Sequence, residues 1–134
     1  MEITLFNVFL ILHGLVHLLY FALSRKYFEL DKPLAGWPEQ SWLFSKFLGV
    51  TTTRNVASVL YALAIILFVA SGVSGLLRVA AWPSIVAIAA VFSSVTIIFF
   101  WDGVLKRMPD KGFVGVLINA AILVVVLVPL VTLG

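Results

Sequence analysis

The sequence contains no cysteine, which excludes disulfides, thiolate metal sites and thiol redox relays. Charge is almost as scarce: 11% of the 134 residues are Asp, Glu, Lys or Arg, against 63% hydrophobic, with a mean hydropathy of +1.17. A chain of this length needs polar surface to cover a core in water, and this one has too little. Lipid is the expected solvent. A net charge of +3 and a pI near 9.5 do not indicate nucleic acid, because the basic residues stand in short segments between apolar runs, where orientation signals belong. No internal repeat or low-complexity tract interrupts the single domain that remains.

Four apolar runs approach the roughly 20 residues that a helix needs to cross a bilayer: residues 3–23, 56–77, 83–101 and 113–133. The first opens on Glu2 rather than a basic region, is too long for a signal h-region and lacks a small-residue cleavage site, so it reads as a permanent helix. Lys and Arg favour the cytoplasmic side of short loops. Arg25, Lys26, Lys32, Lys46 and Arg54 lie between the first and second runs and Lys106, Arg107 and Lys111 between the third and fourth, with Arg78 alone opposite. Both basic loops are therefore expected in the cytoplasm, and both termini outside.

The connection from Arg78 to Trp82 is short enough to make the second and third helices antiparallel neighbours. The first loop is longer and contains "WPEQSWLFSKFLG". Pro38 and Glu39 suit the start of a helix, and Lys46 and Gly49 its end. Leu43, Phe44, Phe47 and Leu48 share a face, so a short amphipathic helix in the headgroup plane is expected, with Trp37 and Trp42 at interfacial depth. Ser71 and Gly75 have the spacing that lets helices approach closely. Pro129 falls near the end of the fourth helix, where a lost hydrogen bond matters least.

The stretch "HGLVHLLYF" sets two histidines one turn apart inside the first span. At about 100° per residue, Glu2, Phe6, His13, His17, Tyr20 and Ser24 fall on one stripe of an otherwise aliphatic helix. Facing lipid, such a stripe is expensive; it should face the bundle interior, a cleft or another subunit. Counting from the cytoplasmic span ends, His17, Asn119, Tyr61 and Thr96 share a layer roughly 8 to 9 Å deep. His13 lies deeper, near Ser93 and Ser94. Arg54, Asn55 and Asp102 sit at the cytoplasmic mouth, Asp102 within reach of Arg54, Lys106 or Arg107.

These groups read either as a polar pocket centred on His17, with His13, Tyr61, Thr96 and Asn119 as ligand contacts, or as hydrogen bonds that fix helix packing at about 0.6 to 1 kcal/mol each. A metal would lack an obvious third ligand. One haem held by both histidines would need rings on opposite sides of it, whereas these share a helix face. Quinone binding is compatible with His, Tyr and Asn donors and aliphatic walls. Proton handling suits histidine, but the spans hold no embedded acid, helix interruption or inverted repeat. No nucleophile with a paired base stands out.

The His-Gly-x-x-His-Leu turn, the "FFWDG" turn closing the third run and the overall size resemble small four-helix membrane proteins with a DoxX-like layout. The resemblance spans the whole chain and implies a four-helix arrangement without assigning a role to any residue; the long first loop departs from the pattern. The sequence thus implies an all-α, four-transmembrane-helix up-down bundle with a short cytoplasmic interfacial helix between helices 1 and 2. The expected role is a non-enzymatic membrane subunit or binding module with a protein partner, a second copy or a small lipophilic ligand. The alternatives are a proton-coupled transporter and a quinone- or haem-associated redox anchor; no cofactor is specified.

Overall fold

A computed structural model describes residues 3–25, 27, 40–105 and 111–133, with side chains of the last helix described through Pro129. The chain is all-helical: α1 (Ile3–Ser24), α2 (Ser45–Leu76), α3 (Trp82–Phe99) and α4 (Phe113–Leu133). α1, α2 and α3 are each long and apolar enough to cross a membrane. α4 is a 21-residue helix with Pro129 inside it.

Neighbours in sequence are neighbours in space, with α1 packed on α2, α2 on α3 and α3 on α4. The α1–α2 and α3–α4 connections meet at one end, where Trp42 N–H donates to the Trp101 carbonyl at 2.8 Å. The start of α1 meets the end of α2 at the other, where Asn7 lies against Gly75. Successive helices therefore run in opposite directions.

The burial pattern is inverted relative to a water-soluble protein. Leu5, Leu12, Leu15, Val16, Leu18 and Leu19 are exposed on α1, while Asn7, His13, His17 and Ser24 are buried. Hydrocarbon outside and polar groups inside is the arrangement that lipid demands. The buried stripe of α1 runs Phe6, Asn7, Leu10, His13, Gly14, His17, Tyr20, Leu23 and Ser24, the spacing of one helix face. It contains every described member of the stripe expected from the sequence; Glu2 lies outside the described residues.

α1 and α2 approach closely through glycine. A methyl at Gly14 would stand 2.6 Å from the Phe68 Cβ, one at Gly72 would strike Ile11, and one at Gly75 would take the place of the Asn7 amide. Gly75 of the expected small-residue pair thus takes part, whereas Ser71 turns its hydroxyl back to the Leu67 carbonyl at 2.7 Å.

The expected interfacial helix takes a different form. Trp37, Pro38 and Glu39 lie outside the described residues. Ser41 caps the short helical stretch that follows, its Oγ accepting from the Leu43 and Phe44 N–H groups at 3.2 and 3.1 Å, and the stretch joins α2 across a break at Gly49 (φ 74°, ψ 168°). Gly49 is where the helix was expected to end, because only glycine adopts that backbone freely. The residues of the expected apolar face meet two different surroundings. Phe44 packs on Phe99 and Phe100, with centroids 6.0 and 5.1 Å away, whereas Phe47 is 84% exposed. The stretch also serves α3: Ser41 Oγ donates to the Phe99 carbonyl and the Trp42 indole to the Ile98 carbonyl at 2.8 Å. These are orphan C-terminal carbonyls of a helix, so Trp42 acts as a cap of α3. After Gly49 the helix continues without interruption, which places Arg54 and Asn55 on α2 rather than in a loop.

At the opposite end, Val79 N–H donates to the Ser74 carbonyl and Arg78 N–H to the Gly75 carbonyl. This double bond pattern ends a helix around a left-handed residue, usually glycine. Here the residue is Arg78, at φ 56°, a conformation that costs a non-glycine residue about 1 kcal/mol or more.

Candidate functional site

Two apolar clusters divide the interior. One comprises Phe6, Leu10, Phe68, Val86, Ala89, Ala90, Ile122 and Val126; the other, toward the basic end, comprises Tyr20, Leu23, Ala57, Tyr61, Ile97 and Phe100. Between them along α1, α3 and α4 lie His13, His17, Ser93, Ser94 and Asn119. α2 supplies apolar cover, with the Phe68 ring 4.8 Å from His13 and 5.5 Å from His17.

His13 Nε2 lies 2.8 Å from Asn119 Oδ1. Asn119 Nδ2 donates to Ser93 Oγ at 3.0 Å and Ser94 Oγ at 3.1 Å. His17 Nε2 lies 2.6 Å from Ser93 Oγ, and His17 Nδ1 lies 3.0 Å from the His13 carbonyl. The carbonyl only accepts, so His17 Nδ1 carries the proton; on a neutral ring Nε2 then accepts from the Ser93 hydroxyl. Asn119 Oδ1 likewise only accepts, so His13 Nε2 donates. A closed circuit results, running from His13 through Asn119, Ser93 and His17 back to the His13 backbone, with two neutral imidazoles in opposite tautomers. Reversing the Asn119 amide would make Ser93 donate to Asn119 and force both His17 nitrogens to donate, which requires an imidazolium ion. Among the described residues, no group of three or more His, Cys, Asp and Glu side chains forms.

The circuit joins three of the expected site residues, His13, His17 and Asn119. Asn119, expected level with His17, bonds His13 instead, because counting from span ends takes no account of tilt or axial offset between helices. Thr96 turns back to the Phe92 carbonyl of its own helix at 2.9 Å. Tyr61 is fully buried, its hydroxyl without a hydrogen-bond partner among the described residues and its ring 5.3 Å from that of Tyr20. Asn55 accepts from Arg25 at 3.3 Å. Asp102 pairs at 2.7 Å with Lys111, a side chain with no exposed surface. Lys111 also donates to the Val104 carbonyl at 3.2 Å, so the pair clamps the α3–α4 connection.

The polar layer is packed shut. His17 is 1% and Asn119 0% exposed, and a ligand reaches the His17 nitrogens only by displacing Ser93 or the His13 carbonyl. On the α1 stripe, His13, His17 and Ser24 find their hydrogen-bond partners within the chain. The accessible space lies beside the layer. A groove of ≈ 340 Å³ between α1 and α4 is lined by Phe6, Phe9, Ile118, Ala121, Ile122 and Val125. The Phe9 ring in its wall stacks on His13, 5.8 Å away at 14°. Sequence reading missed this groove and the part played by Gly14; the signal for the latter was a helix-weakening glycine between the two histidines. No family model, no curated protein and no solved structure matches the chain.

Proposed function

We propose that the chain is a four-span, multi-pass membrane protein with both termini outside, performs no chemistry of its own, and acts as a binding module for a lipophilic ligand carried in the groove between α1 and α4. The groove carries this reading. Its walls are aliphatic and aromatic throughout, its volume lies in the range of small-molecule sites, and it opens where the first and last helices close the bundle with side-chain contacts. An apolar, chain-like ligand matches such walls, and the polar circuit holds α1 and α4 at the spacing that keeps the groove open. The DoxX-like likeness enters this proposal at the level of layout alone.

The orientation rests on the basic end, which gathers Arg25, Lys46, Arg54 and Lys111, against Arg78 at the other. Cysteines introduced singly into this cysteine-free chain test it. L105C and Y27C, at sites 74% and 70% exposed, should be protected in intact cells from an impermeant thiol reagent, and L77C, at a site 72% exposed, should label. The reverse pattern would overturn the orientation. For the ligand, the gently purified protein is examined by native mass spectrometry beside A121F, which fills the groove. The parent should retain a lipophile that A121F loses at unchanged melting temperature. A parent bare of any retained lipophile, or equal retention in A121F, refutes the binding role.

A further inference from the structure

A second cavity lies at the opposite end of the bundle, away from the polar circuit. It measures ≈ 250 Å³ and is lined by Ile3, Thr4, Asn7, Gly75, Leu76 and Arg78. Asn7 has no exposed surface, yet neither its Nδ2 nor its Oδ1 has a hydrogen-bond partner among the described residues. An amide buried in a lipid-solvated bundle without a partner is costly. It is held there by Gly75, since any side chain at that position would occupy the amide's place. The same wall carries Arg78, which adopts φ 56° where glycine is the usual residue and which makes no ion pair among the described residues. Backbone strain accepted at a charged residue beside an unsatisfied buried amide points to a ligand for both.

The surroundings favour an anion. The N-terminal end of α1 lies at this cavity, and the partial positive charge of a helix N-terminus favours an anion. Thr4 adds a hydroxyl. The nearby end of α2 does not oppose this strongly, because the Ser74 and Gly75 carbonyls are taken by the Val79 and Arg78 N–H groups. The apolar walls, Ile3 and Leu76, are 68% and 43% exposed at the end of two spans, the level of lipid headgroups.

We propose that Asn7, Thr4 and Arg78 form a binding site for a phosphate anion, with the Arg78 guanidinium and the α1 N-terminus as its positive elements and the Asn7 Nδ2 as a buried donor. Its source is the phosphodiester of an anionic phospholipid or free phosphate. Thermal unfolding and native mass spectrometry of the full chain in a neutral detergent test it, with three probes: short-chain phosphatidylglycerol, the matching diacylglycerol without phosphate, and inorganic phosphate. Phosphatidylglycerol should bind and raise the melting temperature, and diacylglycerol should not. An equal response to inorganic phosphate identifies free phosphate as the source.

The diagnostic variant is R78G. It relieves the strained backbone, so without ligand it should melt above the parent, while its affinity for the phosphate probe falls roughly tenfold or more. Stability and binding then move in opposite directions, which a merely structural Arg78 does not produce. N7A should lose binding as well. The proposal is overturned if neither phosphate probe binds, if diacylglycerol binds as well as phosphatidylglycerol, or if R78G and N7A bind like the parent. It is also overturned if R78G melts below the parent together with E2Q at unchanged affinity, which would give Arg78 a partner within the chain.

Discussion

Replacing Asn119 with Leu tests the polar circuit at the residue through which most of it passes. The side chain has no exposed surface and makes three bonds, to His13, Ser93 and Ser94. Leu keeps the branching at Cγ but carries bulkier ends, so the change removes the hydrogen bonding and adds some crowding. At the roughly 0.6 kcal/mol average for interhelical bonds in a membrane, the three bonds together contribute about 2 kcal/mol. The His13 Nε2 proton is also left in an apolar interior without an acceptor, a penalty of about 1 to 3 kcal/mol where nothing rearranges to meet it. An overall loss of about 2 to 5 kcal/mol is expected. S94A, which removes one accepting hydroxyl, should lose only about 0.6 kcal/mol. The measurement is equilibrium unfolding in mixed micelles. A double-mutant cycle with H13L adds a second reading: once Asn119 is gone the His13 donor is already unpaired, so H13L should then cost less than it does in the parent. If N119L falls no further than S94A, or if N119L and H13L add independently, the circuit does not exist as described.

Three further outcomes follow from the geometry. Nitrogen-15 NMR of the two histidines should find His13 protonated on Nε2 and His17 on Nδ1; two rings in the same tautomer would break the direction of the circuit. G14V should destabilise by about 1 to 3 kcal/mol through overpacking, because even a single methyl there meets the Phe68 Cβ at 2.6 Å; G115A, whose methyl meets Ile97 at 3.4 Å, should melt close to the parent. K111M should cost about 3 to 5 kcal/mol by leaving the Asp102 carboxylate unpaired at a site 9% exposed, and K111M with D102N should recover part of that loss; identical melting of the single and double variants would show that the ion pair does not clamp the α3–α4 connection.

Local pattern was enough to identify lipid as the solvent, to locate the four helices within a few residues over most of their length and to select the buried face of α1. Each of these depends on composition or on the 3.6-residue period, which any stretch of chain carries by itself. The turns of α2 that follow Gly49 were the exception. Thr51, Thr52, Thr53, Arg54 and Asn55 read as loop because they are polar, yet once Gly49 has turned the chain nothing in them breaks a helix.

Tertiary structure alone decided which partner each polar group meets. Asn119 lies 106 residues from His13, and its depth depends on how α4 slides and tilts against α1. Trp42 caps α3, 56 residues away, because the first loop happens to cross the end of that helix. Asp102 meets Lys111, nine residues further on, through the path of the α3–α4 connection. Arg78 reverses the local expectation outright: its type argues against a left-handed backbone, and the two bonds that close α2 impose one. Hydrogen-bond partners, caps and ion pairs are matters of distance between segments far apart in the chain, and helical period carries no information about that distance.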